Sequence, residues 1–217
     1  MIVLICSGGP AEELCSLERF LDCDDDVLVI GADKGAETLF DRGIVPNVMI
    51  GDFDSINQAK MDALQKQVKE IIYADVEKDE TDTDLALNYA VNLAPSRIIL
   101  TGVSGGRLDH EEAAKRSLLR VQLENPTVPC ILENRNNRLQ FLIEPNKEIP
   151  LTKENRYISF FAYLENIEGV TLRGVKYETV NVPMPLMSSM FTSNEIVSED
   201  CSILFTNGIC LMITSAD

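Results

Sequence analysis

The chain has 217 residues, 45% of them hydrophobic, with 35 acidic against 19 basic side chains and a formal net charge of −16. That length suits one large domain or two small ones with a real buried core. So acidic a surface repels polynucleotide phosphates, no basic stripe offsets it, and no run approaches the roughly 18 apolar residues that span a bilayer.

The opening Met1-Ile2-Val3-Leu4-Ile5-Cys6 lacks a basic leader and reads as a first strand, not a signal peptide. Six cysteines (6, 15, 23, 130, 201, 210) are scattered without a Cys-x-x-Cys pair, several of them inside apolar runs. Reduced thiols in a cytoplasmic protein are the expectation. Strand patterns over 2–6, 27–31, 47–50, 69–73, 97–101 and 128–132 alternate with helical patterns over 11–21, 34–42, 57–67, 82–93 and 108–122. This alternation predicts an α/β domain over 1–133, a mainly parallel Rossmann-like sheet flanked by helices. Asn134-Arg135-Asn136-Asn137 is a turn-rich junction. Beyond it, short apolar runs over 139–143, 157–163, 170–172, 202–206 and 209–213 predict an all-β sandwich or barrel-like domain over 134–217. Asn207-Gly208 between two of these runs predicts a hairpin.

In parallel sheets, ligands bind beyond the carboxyl ends of the strands. The polar motifs fall there: Ser7-Gly8-Gly9-Pro10, Gly31-Ala32-Asp33-Lys34-Gly35, Gly51-Asp52-Phe53-Asp54-Ser55 and the run from Gly102 to His110. In an extended segment Asp52 and Asp54 face the same way while Phe53 anchors in the core. Two carboxylates about 5 Å apart repel by roughly 3 kcal/mol at an effective dielectric near 20. A hard divalent cation such as magnesium removes that cost. The alternative is a solvated acidic turn in which Ser55-x-x-Gln58 caps the next helix.

Other candidates carry paired readings. Asp33 either caps the helix that follows or serves a site. In Lys78-Asp79-Glu80-Thr81-Asp82-Thr83-Asp84, Thr81 and Asp84 fit a capping box, whereas Asp82 has only a mild attraction to the helix N-terminus. Lys78 either offsets these carboxylates or reaches a phosphate. Gly102-Val103-Ser104-Gly105-Gly106-Arg107-Leu108-Asp109-His110 supplies close backbone approach, a helix N-terminus and a guanidinium fork, all suited to an anion. It lacks the Gly-Lys-Ser/Thr ending of a Walker loop. Asp109-x-x-Glu112 also fits a cap, and His110 is the sole histidine.

Taken in order, Ala-Asp-x-Gly-Ala, Gly-Asp-Phe-Asp-Ser, Lys-Asp-x-Thr-Asp and Gly-Gly-Arg-x-Asp-His resemble the thiamine pyrophosphokinase (thiamine diphosphokinase) family. Gly174-Val175-Lys176-Tyr177 and Ser193-Asn194-Glu195 extend the likeness into the second half. The resemblance implies an enzyme that moves the β,γ-diphosphate of ATP onto the hydroxyl of thiamine, releases AMP, depends on Mg2+, and works as a homodimer with sites at the interface. On the matching positions Asp52, Asp54 and Asp82 would hold magnesium. Asp33 and Asp109 would complete the acidic cluster, with Asp52, Asp54, Asp82, Arg107 and Asp109 as the catalytic group. Asp33, Lys34, Lys78, Asp79, Thr81, Gly105, Gly106, Arg107 and His110 would meet ATP, and Ser193 and Asn194 would touch thiamine. Glu112 and Ala114 depart from the family, which often has an apolar residue and then an asparagine there. Without tryptophan, a ring stacked on thiamine would be Phe191 or Tyr177. A pyrophosphokinase for another alcohol such as a pterin, a non-catalytic nucleotide or thiamine sensor, and a metal-dependent phosphohydrolase are the competing readings.

Overall fold

Five consecutive apolar residues, all buried, form β1 (Ile2–Cys6), on which the first half of the chain is built. The computed structural model describes residues 1–21, 25–75 and 79–217, and these divide into two units, Met1–Arg135 and Asn136–Asp217. Lys78, Cys23 and part of the acidic run from Asp22 to Asp26 lie outside the described residues.

In the first unit β1 leads to a 3₁₀ turn (Ala11–Glu13), α1 (Glu18–Leu21), β2 (Val27–Ala32), α2 (Lys34–Asp41), β3 (Val48–Gly51), α3 (Gln58–Leu64) and β4 (Glu70–Tyr73). Then follow α4 (Asp82–Asn92), β5 (Arg97–Thr101), α5 (Leu108–Glu124) and β6 (Cys130–Glu133). The strands pair in parallel in the order β4-β3-β2-β1-β5-β6. The α/β class expected from the alternation is the one observed. The chain runs outward from β1 to β4, then returns to lay β5 on the other side of β1. That reversal opens a crevice beyond the carboxyl ends of β1 and β5.

The core follows the pleat. Ile2, Leu4 and Cys6 of β1 pack with Val29, Ile99 and Ile131 from neighbouring strands, under Leu14, Leu17, Phe20 and Leu39. Alternate residues Val3 and Ile5 point to the opposite face. Helices α4 and α5 contact one another and bury Ala86, Leu87, Ala90, Leu118 and Val121. A third cluster joins Met49 and Phe53 to Ala36, Ile56, Met61 and Leu64.

The single helix expected over 11–21 does not form. A 3₁₀ turn and a four-residue helix replace it, because the segment between them is drawn to the sheet. Cys15 N donates to Thr101 Oγ1 at 3.1 Å, and Leu14 bridges to Asn134. These long-range bonds outweigh a local helical period that has Pro10 at its start.

The second unit contains β7 (Asn137–Leu142), β8 (Ile149–Pro150), β9 (Tyr157–Tyr163), β10 (Ile167–Arg173), β11 (Thr179–Met184), β12 (Ser202–Leu204) and β13 (Ile209–Ser215). All its pairings are antiparallel, in two ladders, β7-β13-β9 and β11-β10-β12-β8. Leu142, Ile158, Phe160 and Cys210 from one ladder share a buried cluster with Ile167, Val170, Leu172 and Ile203 from the other. This is a sandwich. The Asn207-Gly208 turn, however, is not a hairpin. β12 pairs with β10 and β8, whereas β13 pairs with β7 and β9, so the turn carries the chain from one ladder to the other. The Asn207 side chain instead ties down the neighbouring backbone. Its Oδ1 accepts from Glu168 N at 2.7 Å, and its Nδ2 donates to Asn166 O at 3.1 Å.

The thiols of Cys6, Cys15, Cys130, Cys201 and Cys210 are free and buried. Burial pushes Cys6, Cys130 and Cys210 up to about 12, which leaves them protonated and inert at neutral pH. Among the described residues no helix is long and apolar enough to cross a membrane.

Candidate active site

The crevice at the strand-order reversal holds a cavity of about 450 Å³ whose walls come from loops after β1, β2, β3 and β5 and from the start of α4. Close packing shapes its floor. Gly35, the second residue of α2, lies directly against the end of β1, where any Cβ would collide with the Cys6 carbonyl. Gly102, at φ 73°, is pressed against the Ser7 carbonyl, and its own carbonyl accepts from Gly9 N at 2.6 Å.

Three carboxylates cluster at its edge, Asp33 and Asp82 from the lining and Asp52 beside them. One oxygen each from Asp33, Asp52 and Asp82 lies within 4.8 Å of the others, and all three residues are half-buried. Asp33 occupies the N-cap position of α2, yet its side chain makes no capping hydrogen bond. It accepts from Ser55 Oγ instead, at 2.9 and 3.1 Å. Its backbone, at φ 46° and ψ −124°, is in a region that costs on the order of 1–3 kcal/mol for a residue with a side chain. A helix cap gains nothing from such strain, so the capping alternative for Asp33 fails.

Asp52 and Asp54 do not face the same way. Phe53 is buried as expected, but it adopts φ 59°, so the segment turns instead of staying extended. Asp52 meets Asp33 and Asp82, while Asp54 is exposed and lies outside the trio. Asp54 N donates to Asp52 Oδ1 at 3.2 Å, holding the turn. Nor does Ser55 cap α3. Asn57 does, accepting from Ala59 N at 3.0 Å, which releases the Ser55 hydroxyl for Asp33. Thr81 and Asp84 do form the capping box at α4, with Asp84 also beside Arg120. Asp82, one position into that helix, is left to face the other two carboxylates.

The cationic side of the site is Lys34 and Arg107, both lining the cavity with Thr81, Gly106 and His110. Arg107 holds Asp109 through Nε (3.1 Å) and Nη2 (2.5 Å), and this hydrogen-bonded guanidinium depresses the Asp109 carboxyl to about 2. Asp109 is the second residue of α5, whose N-cap position, Arg107, makes no side-chain capping hydrogen bond. Asp52, Asp54, Asp79, Gly105 and Asp109 stand outside the cavity lining, although Asp52 meets the lining residues Asp33 and Asp82. Ser7 and Thr83 belong to that lining although neither was among the expected site residues, and their hydroxyls are 2.9 Å apart. The position of Ser7 at the carboxyl end of the central strand was the signal for it. Glu112 is an exposed partner of Arg116 at 2.9 Å, but Ala114 is buried in the cavity wall, so only the second departure reaches the site.

In the second unit Ser193 is exposed at φ 57°, and Asn194 is only 4% exposed. The Asn194 amide makes three hydrogen bonds: Oδ1 accepts from Tyr177 N (3.0 Å) and Glu195 N (2.9 Å), and Nδ2 donates to Tyr177 O (2.9 Å). Its side chain thus ties the Lys176-Tyr177 turn to the Ser193–Glu195 segment. Phe191 is buried and Tyr177 exposed.

Hard oxygen donors facing a guanidinium and an ammonium across a strand-order switch define an α/β protein that handles phosphorylated ligands. Residues 23–130 match the thiamin pyrophosphokinase catalytic domain, and residues 143–210 match the thiamin pyrophosphokinase vitamin B1 binding domain. The chain belongs to the thiamine pyrophosphokinase family. It is 35% identical to thiamine pyrophosphokinase of Bacillus subtilis over 213 residues, 98% of each chain. Among solved structures it is similar to the B. subtilis enzyme (33% identity, TM-score 0.89, all of both chains) and to the Geobacillus thermodenitrificans protein (32%, TM-score 0.87, 100% and 98% of the chains). Thiamin pyrophosphokinase from Candida albicans, at 16% identity and a TM-score of 0.77, shares the fold over 99% of this chain and 88% of its own.

Proposed function

We propose that this chain transfers the diphosphate of ATP to the hydroxyl of thiamine, giving thiamine diphosphate and AMP, in a magnesium-dependent reaction. The thiamine oxygen forms a bond to the β-phosphorus, the bond from that phosphorus to the α,β-bridging oxygen breaks, and the hydroxyl proton leaves to a nearby base. The observation that carries the reading is the cluster of Asp33, Asp52 and Asp82, of which Asp33 and Asp82 line a cavity together with Lys34 and Arg107.

The donor set fits magnesium. The ion takes carboxylate oxygens at about 2.1 Å, which requires donor oxygens roughly 3–4 Å apart. One oxygen from each member of the trio already lies within 4.8 Å of the others, near that spacing. When bound, the ion neutralises charge on the transferring diphosphate. Arg107 and Lys34 would supply fixed positive charge on the other side, and the Ser7–Thr83 hydroxyl pair, with one proton shared between them, keeps one donor for a ligand oxygen. We place Asp54 and Asp109 outside the metal's direct ligands, Asp109 acting through Arg107. Lys78, Asp79, Gly105 and His110 remain candidates for contact with ATP, and Ser193 and Asn194 for the thiamine side. The proposal includes a cytoplasmic homodimer with sites at the interface.

Incubation with ATP, Mg2+ and candidate alcohols, thiamine and a pterin among them, followed by mass identification of products, tests the reading. Thiamine diphosphate and AMP in equal amounts support it. Inorganic phosphate without a modified alcohol points to a hydrolase, and a modified pterin to a different acceptor.

A further inference from the structure

The acidic trio has an uncharged companion. Ser55 Oγ lies 2.9 Å from Asp33 Oδ2 and 3.1 Å from Oδ1, near-equal distances that set the hydroxyl across the open mouth of the carboxylate. That mouth is the position a cation must take to bind both oxygens at once. With one O–H shared there, each oxygen keeps only its outward lone pairs. The backbone is held as firmly as the side chain. Asp33 N donates to Ile50 O at 2.9 Å, and Gly51 packs so closely that a Cβ on it would stand 3.1 Å from Asp33 Cα. Strained backbone persists where its surroundings over-determine it, and β3 and its following turn do so here.

We propose that Ser55 is a positioning residue that sets which divalent ion the site accepts, by limiting Asp33 to one oxygen per ion. The proposal rests on the reading that the trio binds a divalent ion. Magnesium takes one oxygen from each carboxylate in a tight octahedron, whereas calcium prefers a larger shell at 2.3–2.6 Å that often includes bidentate carboxylates. An Asp33 restricted to one oxygen favours the first and handicaps the second. The Asp54 N–H on Asp52 Oδ1 acts in the same sense on the neighbouring ligand.

The test is displacement of Mn2+ by Mg2+ or by Ca2+, followed by electron paramagnetic resonance on the full chain without nucleotide, for wild type, Ser55→Ala and Ser55→Thr. Ser55→Ala is expected to weaken Mg2+ about tenfold, the lower end of the loss seen when a group orienting a metal ligand is removed. Ca2+ should hold or tighten, and Ser55→Thr, which keeps the hydroxyl, should restore the Mg2+ preference. The melting temperature without metal should not move, since Ser55 is exposed. Equal loss of both ions, or an unchanged preference in Ser55→Ala, overturns the role of Ser55 while leaving the divalent-ion reading intact. A wild-type chain that binds neither Mn2+ nor Mg2+ overturns both.

Discussion

Arg107 directs both its Nε and one terminal nitrogen at Asp109, two residues along, so the guanidinium at the cavity edge is already oriented before any ligand arrives. Both side chains are well exposed, 70% and 65%, and water screens the pair; its value is geometric more than energetic. An arginine held this way points the rest of its fork at a fixed place, which a lysine cannot do.

Arg107→Lys should therefore lower kcat more than it raises the KM for ATP, because the oriented fork matters most where charge develops in the transition state. Steady-state kinetics decide it. A change confined to KM would make Arg107 a uniform binding contact.

The same pair predicts a titration. Asp109 should ionise near 2 in the folded protein and move back toward its ordinary 3.8 in Arg107→Ala, as read by carboxyl NMR shifts. Its folded value lies below the unfolded one. The stabilisation it brings is thus present above the unfolded value and is lost as pH falls from about 4 toward 2. At neutral pH the pair should show no pH sensitivity.

Asp52→Asn should reduce turnover by more than about 100-fold, the scale on which a group stabilising transition-state charge is felt. Circular dichroism should be unchanged, and the melting temperature equal or higher, since one of three crowded charges is gone. Asp33→Asn should weaken metal binding more than Asp54→Asn does. The reverse ranking would return Asp54 to the ligand set in place of Asp33.

Asn194→Ala should cost about 1–3 kcal/mol of stability, because it strips the Tyr177 and Glu195 backbone groups of a buried partner. Urea unfolding measures the loss, and calorimetry should show weaker thiamine binding with ATP-analogue binding unchanged. Unaltered stability would mean that water replaces the amide without penalty.

The periodic parts of this molecule were readable from the sequence. The six strands of the first unit and four of its helices follow from apolar runs bounded by Gly, Asn and Asp, and the strand-to-helix loops could be ranked by chemistry. What could not be read depends on contacts between distant residues. The turn sense at Phe53, which separates Asp54 from Asp52, is a single dihedral set by ring burial and not by local pattern. The preference of Ser55 for Asp33 over a cap requires knowing that the loops after β2 and β3 lie side by side. Asn207-Gly208 carried a sound turn signal, but which ladder each flanking strand would join is a property of the whole sandwich.

Placing β5 beside β1 also sets a schedule for synthesis. Ser7 finds Thr83 only across 76 residues, and β1 lacks its second neighbour until Thr101 has emerged. At ribosomal rates of about 5–20 residues per second, the most apolar strand of the chain has an unpaired edge for roughly 5–20 s. A nascent chain at that stage displays Ile2–Cys6 to any other unpaired strand nearby. Conditions that slow translation between residues 32 and 97 should consequently lower soluble yield without altering the finished enzyme.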